Sequence, residues 1–158
     1  MTDWLILVES ESDLKQTETP HKVMRVSDYL TSPALFAARR PYVLNLARSY
    51  AYQGAGYYAA LLAEARGHRV SPTVQTMVEL SRKDLYAHAL PDLNARLTDT
   101  LGKGVAPVEE VFIAFSKTPQ TGYGRLAREV SDWFRTPALE LEISHERTPR
   151  ITRIRPVP

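Results

Sequence analysis

The densest group of chemically useful side chains follows a short apolar run, Tyr42–Ala47. Residues 48–58 read RSYAYQGAGYY, so an arginine, a glutamine, tyrosines and two glycines fall in a predicted strand-to-helix turn. In an open α/β sheet, ligands bind beyond the carboxyl ends of strands, where unpaired N–H groups at helix N-termini attract anions. The composition therefore predicts a pocket for an anion or polar ligand. It also fits a tight turn whose tyrosines pack on the sheet and whose Arg48 is a surface charge.

Two other polar groups could contact a ligand. Ser81, Arg82 and Lys83, followed by Asp84, come directly after a predicted helix and form a secondary candidate for a substrate or interdomain contact. Positive charge at a helix C-terminus is, however, favourable by itself. The segment 117–124 lies between a predicted strand and a predicted helix; it could line the same crevice or be a loop without function.

The residue inventory excludes several kinds of catalytic centre. The 158 residues include no cysteine, which removes thiolate catalysis, disulfide frameworks and Cys-type zinc sites. Gly54 and Gly56 lack the third glycine of GxGxxG, and GxxxxGK[ST] is absent. The four histidines form no HExxH motif and no i, i+4 pair; they are His21, His68, His88 and His145. No metal site is therefore expected, and no residue is assigned as catalytic.

The charge pattern bears on partners and location. Twenty basic and 18 acidic residues give a formal net charge of +2, too small for an electrostatic footprint on nucleic acid. The segment Asp3–Glu18 is acidic, whereas the tail is basic, with Arg147, Arg150, Arg153 and Arg155. No apolar run approaches the roughly 20 residues of a membrane span, and the N-terminus has no positively charged signal region. These features predict a soluble, cytoplasmic protein without nucleic-acid or membrane partners.

The elements that must position residues 48–58 form a predicted βαβ unit. Tyr42–Ala47 is typical of a buried strand, and apolar residues recur at helical spacing over 56–66. Gly67 sits where a left-handed C-cap belongs, and His68–Val70 supplies a second strand. The segment Pro41–Val70 has the usual length of such a crossover.

The remaining elements extend this alternation of strands and helices. Further strands are predicted at Trp4–Val8, Lys22–Val26, Val111–Phe115, 139–143 and 151–154; helices at Tyr29–Ala38, from Ser71-Pro72 through Leu80, Pro91–Leu101 and 126–134. Glu140 and Glu142 share one face of an alternating strand, and an acid–base pair there would need enclosure. The pattern predicts one α/β domain spanning residues 1–158. Its three layers comprise a mostly parallel central sheet flanked by helices, with an antiparallel C-terminal edge hairpin.

The central segment resembles the N-terminal domain that precedes RimK-like ATP-grasp ligases. The resemblance rests on NLARSY at 45–50, Gly56-Tyr57-Tyr58, LLAEARGHRV at 61–70 and LSRK at 80–83, and extends from WLILVE at 4–9 to ITRIRP at 151–156. Positions that match the family pattern coincide with the predicted pocket. These candidate ligand-binding residues are Asn45, Arg48, Ser49, Tyr50, Tyr52, Gly56, Tyr57 and Tyr58.

The resemblance implies a role beside a ligase. In that family, the module that follows binds ATP and magnesium and joins a carboxylate to an amine, usually glutamate, through an acyl phosphate. The chain is then expected to be a non-catalytic accessory domain without activity alone, cut from a longer chain whose ATP-grasp module would follow Pro158. It would present an amino-acid or peptide substrate, or dock on that module.

Two alternatives remain open on the sequence. One is a scaffold or dimerisation module that uses an exposed strand and the Arg-rich tail. The other is an independent small-anion binder that uses the Arg48–Tyr58 turn.

Overall fold

The computed structural model describes residues 3–14, 19–32 and 40–157. The chain divides into two compact units between Met77 and Val78, called the first and second units below. The division falls inside a continuous helix, Val74–Ser81. No glycine- or proline-rich linker marks it in the sequence, which is why composition indicates no internal boundary.

The first unit holds a four-stranded parallel sheet. Its strands are β1 (Trp4–Val8), β2 (Lys22–Arg25), β3 (Tyr42–Asn45) and β4 (Arg69–Ser71), in the order β2-β1-β3-β4. Its helices are α1 (Val26–Thr31) and α2 (Ala55–Ala65), and a 3-10 turn covers Glu11–Leu14; helix α3 (Val74–Ser81) begins in this unit and ends in the second. The predicted β3–α2–β4 crossover is confirmed, and Gly67 takes the left-handed conformation expected of a C-cap, with φ +74°.

Small residues bring α2 close to the sheet. Its buried positions are Gly56, Ala59, Ala60 and Ala63, while Tyr58 and Leu61 are exposed. The core contains Leu5 and Leu7 of β1 and Val43 of β3. The helix axis can therefore approach the strands without large side chains intervening.

Helix α3 begins later than the sequence predicts. The Ser71–Pro72 peptide bond is cis, and the helix starts at Val74 rather than at Pro72. The Thr73 hydroxyl accepts a hydrogen bond from the Thr76 N–H at 3.1 Å, so Thr73, not Ser71, supplies the side-chain cap.

The second unit holds a separate three-stranded antiparallel sheet. Its strands, β5 (Glu110–Ala114), β6 (Ala138–Ser144) and β7 (Arg150–Pro156), lie in chain order. The helices are α4 (Lys83–Tyr86), α5 (Leu90–Gly102) and α6 (Gly124–Trp133), with a 3-10 turn at Ala87–Ala89. Leu93 and Leu97 of α5 and Leu126 and Val130 of α6 share a core with the buried face of this sheet.

The α/β class and the parallel sheet flanked by helices are confirmed. The C-terminal hairpin is antiparallel as predicted, but β6 pairs with β5 in its own sheet instead of forming an edge of the parallel one. Strand β5 resembles a strand buried on both faces because VFIAF is wholly apolar, yet only Val111 and Ile113 are buried in it. Residues 33–38 of the helix predicted at Tyr29–Ala38 lie outside the described residues; α1 covers Val26–Thr31. None of the helices among the described residues is long and apolar enough to cross a membrane.

Substitution of Gly122 tests how closely the loops of the second unit pack. Gly122 has φ +89°, and a Cβ there would lie 2.7 Å from both methyl carbons of Val105. We expect Gly122→Ala to lower the free energy of unfolding by about 1–3 kcal/mol, through backbone strain and overpacking. The measurement is urea denaturation followed by circular dichroism.

Gly102 is the matched control. It ends α5, and a Cβ there would meet nothing within 4 Å. Gly102→Ala should leave the stability unchanged or raise it by up to about 1 kcal/mol, because alanine favours helix. Equal losses in the two variants would contradict the packing explanation.

Candidate functional site

The candidate residues around Arg48 lie where the strand order of the parallel sheet changes direction. From β1, the chain adds β2 on one side and β3 on the other, so the switch point lies between β1 and β3. Ligands of open α/β sheets bind at such a point, beyond the carboxyl ends of the strands. Glu9 follows β1, Arg48 follows β3, and the Arg48 backbone N–H donates to the Glu9 carboxylate at 2.9 Å. The segment predicted as a pocket therefore occupies the expected edge of the sheet.

Asn45 joins the end of β3 to the start of α2. Its side chain is fully buried. The amide nitrogen donates to the Gly56 carbonyl at 2.9 Å, and the amide oxygen accepts from the Ala47 N–H at 3.2 Å. Both ends of this amide are engaged with backbone groups, so Asn45 holds the turn in place.

Gly56 and Tyr50 complete the same junction. A Cβ on Gly56 would lie 2.3 Å from the Ser49 carbonyl oxygen and 2.8 Å from the Ala47 Cβ, so no side chain fits there. The Tyr50 hydroxyl donates to the Asn45 carbonyl at 2.6 Å, and burial raises the pKa of Tyr50 well above its ordinary value. Tyr50 is therefore a neutral hydrogen-bond donor that stabilises the turn.

Arg48 is held by carboxylates. Its guanidinium donates to Asp13 at 2.7 Å, and Asp13 also accepts from the Ser10 N–H at 3.1 Å. The hydrogen bond from Arg48 lowers the pKa of Asp13, and the same bond raises the pKa of Arg48. Sequence reasoning missed Glu9 and Asp13. Their position directly after the strand beside β3 is the signal that could have found them.

Three tyrosines form an exposed aromatic group beside the start of α2. Tyr52 is 73% exposed and Tyr58 is exposed, while Tyr57 is half-buried between them. The ring centroids lie 5.2 Å apart for Tyr52 and Tyr57 and 5.7 Å apart for Tyr57 and Tyr58, in edge-to-face contacts. Gly54, the N-cap residue of α2, provides no side-chain cap. The Ser49 hydroxyl accepts from the Ala51 N–H at 3.2 Å.

The secondary cluster lies in the second unit and is largely self-contained. The Ser81 hydroxyl donates to the Val78 carbonyl at 2.6 Å. Arg82 forms a two-pronged pair with Asp84, with donor–acceptor distances of 3.0 and 2.8 Å. Lys83 is exposed at the first position of α4.

The loop 117–124 is ordered by its own polar groups. The Gln120 side-chain oxygen accepts from the Phe112 N–H at 3.1 Å and from the Thr118 hydroxyl at 2.6 Å. The buried Tyr123 donates its hydroxyl to the Ala106 carbonyl at 2.7 Å. These bonds fix the loop against the unit's own backbone.

The paired glutamates and the histidines have structural partners. Glu140 pairs with Arg155 and Glu142 with Arg153, across β6 and β7. His68 is buried, with its Nδ1 2.8 Å from the Tyr29 hydroxyl, and His145 Nε2 lies 2.8 Å from the Val108 carbonyl oxygen. No group of three or more histidine, aspartate or glutamate side chains within residues 3–14, 19–32 and 40–157 could hold a metal ion.

The Asn45 junction gives a stability prediction. Asn45→Ala removes an amide that satisfies two buried backbone groups, and we expect a loss of about 2–3 kcal/mol in the free energy of unfolding. Ser49→Ala, at an exposed residue of the same turn, should change it by less than about 0.5 kcal/mol. Guanidinium denaturation of both variants is the measurement. A similar loss in both would contradict the proposed clamp.

The Arg48–Asp13 pair gives a pH prediction. Because the pKa of Asp13 is lowered in the folded state, the pair stabilises the fold above the ordinary carboxyl value of 3.8, and this stabilisation is lost as the pH falls through the lowered pKa. Arg48→Ala should raise the pKa of Asp13 toward 3.8, as measured by NMR titration of its carboxyl carbon. Arg82→Ala, which removes the partner of Asp84, is the control and should leave Asp13 unchanged. An unaltered Asp13 titration in Arg48→Ala would refute the assignment.

Comparison with known proteins identifies the family of this chain. A search of curated proteins found no match to the chain. The family model of the RimK-like ATPgrasp N-terminal domain matches residues 26–158, which include β3, α2 and the whole second unit. The chain belongs to the RimK-like ATP-grasp N-terminal domain family.

Proposed function

We propose that this chain is a non-catalytic accessory domain of a cytoplasmic, RimK-like ATP-dependent carboxylate–amine ligase and that it docks on the ATP-grasp module. Family membership supports the association with ATP-grasp proteins. ATP and magnesium would be bound by that module, not by the residues described above. The observation that favours docking is an exposed aromatic edge of the second unit, beside the point where the described chain ends.

This exit edge is defined by Phe115, the Pro137–Ala138 segment and Val157. The Phe115 N–H donates to the Pro137 carbonyl at 2.9 Å, and the Val157 N–H donates to the Ala138 carbonyl at 3.0 Å. Two successive residues at the start of β6 therefore hold different segments: Pro137 bonds the turn that contains Phe115, and Ala138 bonds Val157, the last described residue. A segment that followed Val157 would leave the second unit beside Phe115.

Phe115 occupies a backbone conformation that a bulky residue rarely adopts. Phe115 and Ser116 have φ values of +48° and +66°, and Ala114 and Lys117 exchange both backbone hydrogen bonds around them. Such two-residue turns favour Asn-Gly, because L side chains are strained at positive φ. Phe115 is nevertheless 63% exposed, so its ring does not gain burial in the unit in return. Strain of this kind persists mainly at functional positions.

The second unit exposes another large aromatic side chain. Trp133, at the end of α6, is 39% exposed and lies four residues before Pro137. Its ring centroid is 5.6 Å from that of His88. Large aromatic side chains are the preferred anchors of protein–protein contacts, and a tethered module would meet them at high effective concentration.

The turn itself allows a test that separates docking from stability. Replacing Phe115-Ser116 by Asn-Gly (Phe115→Asn with Ser116→Gly) should relieve the backbone strain and raise the free energy of unfolding of this chain by about 1 kcal/mol. In the complete gene product, the same change should lower ligase turnover and speed proteolytic cleavage after Val157. Leu61→Gln, which removes an exposed apolar side chain from the first unit, is the control and should leave both unchanged.

Three results would refute the docking role. The first is a natural reading frame that carries no ATP-grasp module after Pro158. The second is unchanged turnover and substrate choice after deletion of residues 1–158. The third is an Asn-Gly variant that matches the wild type in turnover and cleavage. Each is read from the full-length protein.

The turn 48–58 supports a second candidate, capture of a small anionic substrate in the first unit. Its favourable feature is the start of α2, where Gly54 provides no side-chain cap beside exposed tyrosines. Because Arg48 is already paired with Asp13, the backbone N–H groups and not Arg48 would hold the anion. Calorimetry with amino acids, dipeptides and nucleotides tests this candidate, and absence of heat across that panel would remove it.

The remaining candidate function is a dimerisation module. Light scattering tests it, and a strictly monomeric chain would exclude it.

A further inference from the structure

Three pairs of residues face outward across the hairpin β6–β7, and two of them are salt bridges. We call this series of pairs the charge ladder and each pair a rung. Glu140 faces Arg155, and Glu142 faces Arg153, and each pair forms a salt bridge. Beyond the register shift after Glu142, the next outward-facing pair is Ser144 and Arg150. A hydroxyl therefore stands where the two preceding rungs have a carboxylate.

Arg150 and its neighbour Arg147 are the cations that this interruption leaves without a counter-ion. Both are exposed, and neither forms an ion pair with any carboxylate of the described residues. The basic tail that stands out in the sequence is thus neutralised in its strand portion, at Arg153 and Arg155, and carries free positive charge only around the hairpin turn.

A cavity of about 370 Å³ lies at this third rung. It is lined by Ser144, Glu146, Arg147, Thr148 and Arg150. Two guanidinium groups and two hydroxyls provide several hydrogen-bond donors for an oxyanion, and guanidinium forks match the planar carboxylate geometry. Glu146 contributes one negative charge against two positive ones, so the lining has a net charge of +1.

We propose that this cavity binds a carboxylate group, which completes the ladder by taking the place that Glu140 and Glu142 hold in the first two rungs. The chemistry is shared by free dicarboxylic acids and by glutamate or aspartate side chains of a peptide. A carboxylate is favoured over a phosphate because the site repeats the rungs beside it, where the partner of each arginine is a glutamate carboxylate. The proposal is independent of the docking role of the exit edge.

The test is titration of the 158-residue chain at low ionic strength, where exposed ion pairs are least screened. The probes are glutarate, a blocked triglutamate peptide and inorganic phosphate, and the readout is the NMR shift of the arginine Nε–H signals. Glutarate should move the signals of Arg147 and Arg150 and leave those of Arg153 and Arg155 in place. Equal affinity for glutarate and the peptide indicates a small acid as the source, and tighter peptide binding indicates a peptide; both support the proposal.

Matched variants separate a site from general charge attraction. Arg147→Gln with Arg150→Gln should weaken glutarate binding by about tenfold. Arg153→Gln with Arg155→Gln removes the same charge from the completed rungs and should change it less than twofold. Ser144→Glu should build the missing rung within the chain and abolish binding, while Ser144→Gln should preserve it.

The proposal fails if wild-type protein binds neither carboxylate probe, or if the two double variants weaken binding equally. It fails also if phosphate binds as tightly as glutarate, or if Ser144→Glu binds as well as Ser144→Gln. Far-ultraviolet circular dichroism and amide NMR spectra of each variant establish that the hairpin is intact.

Discussion

At the end of β3, the first turn of α2 approaches the strand so closely that a single methyl group at Gly56 would overlap the Ser49 carbonyl. The local structure of the first unit follows from this contact. Asn45 bridges the strand end and the helix start through both ends of its amide, and Tyr50 donates to the Asn45 carbonyl. These groups bond one another, so hydrogen bonds within the chain hold the turn. The residues most similar to a binding motif therefore act mainly in folding, and the exposed tyrosines lie beside this bonded turn.

Several exposed arginines of this chain form salt bridges with carboxylates. Arg48 is held by Asp13, Arg82 by Asp84, and Arg153 and Arg155 by glutamates of β6. Each exposed pair contributes little to stability. Its effect on recognition is larger, because a paired guanidinium is a poor site for an external anion. Arg48, the candidate predicted from the sequence, is therefore a poorer anion site than Arg147 and Arg150, which have no such partners among the described residues.

Most elements could be predicted from the sequence because their patterns are local. The period-two alternation of β6, the helical spacing of α6 and the glycine after α2 each depend on neighbouring residues. Pairing of β5 with β6 in a separate sheet could not be predicted. Only Val111 and Ile113 of β5 are buried, but Phe112 and Ala114 are also apolar, so the sequence is typical of a strand buried on both faces. The division into two units was equally hidden, since α3 continues through it. At the site, the sequence located the turn, but the partners of Arg48 come from a loop 35 and 39 residues earlier in the chain.

Strain and exposure at Phe115 constrain the possible roles of the second unit. This two-residue turn has positive φ at both residues, a conformation that asparagine and glycine adopt at least cost. Phenylalanine there increases the strain and exposes a large apolar surface to water, so neither local backbone preference nor burial within the unit explains it. Both disadvantages are offset if the ring is buried against another surface, because the apolar area then leaves water and the contact stabilises the unfavourable backbone. Since the Pro137 carbonyl fixes the Phe115 backbone and the next residue, Ala138, fixes Val157, a chain continuing from Val157 starts beside the exposed ring. Under the proposed docking role, an ATP-grasp module joined to the chain after Val157 would meet this surface at high effective concentration.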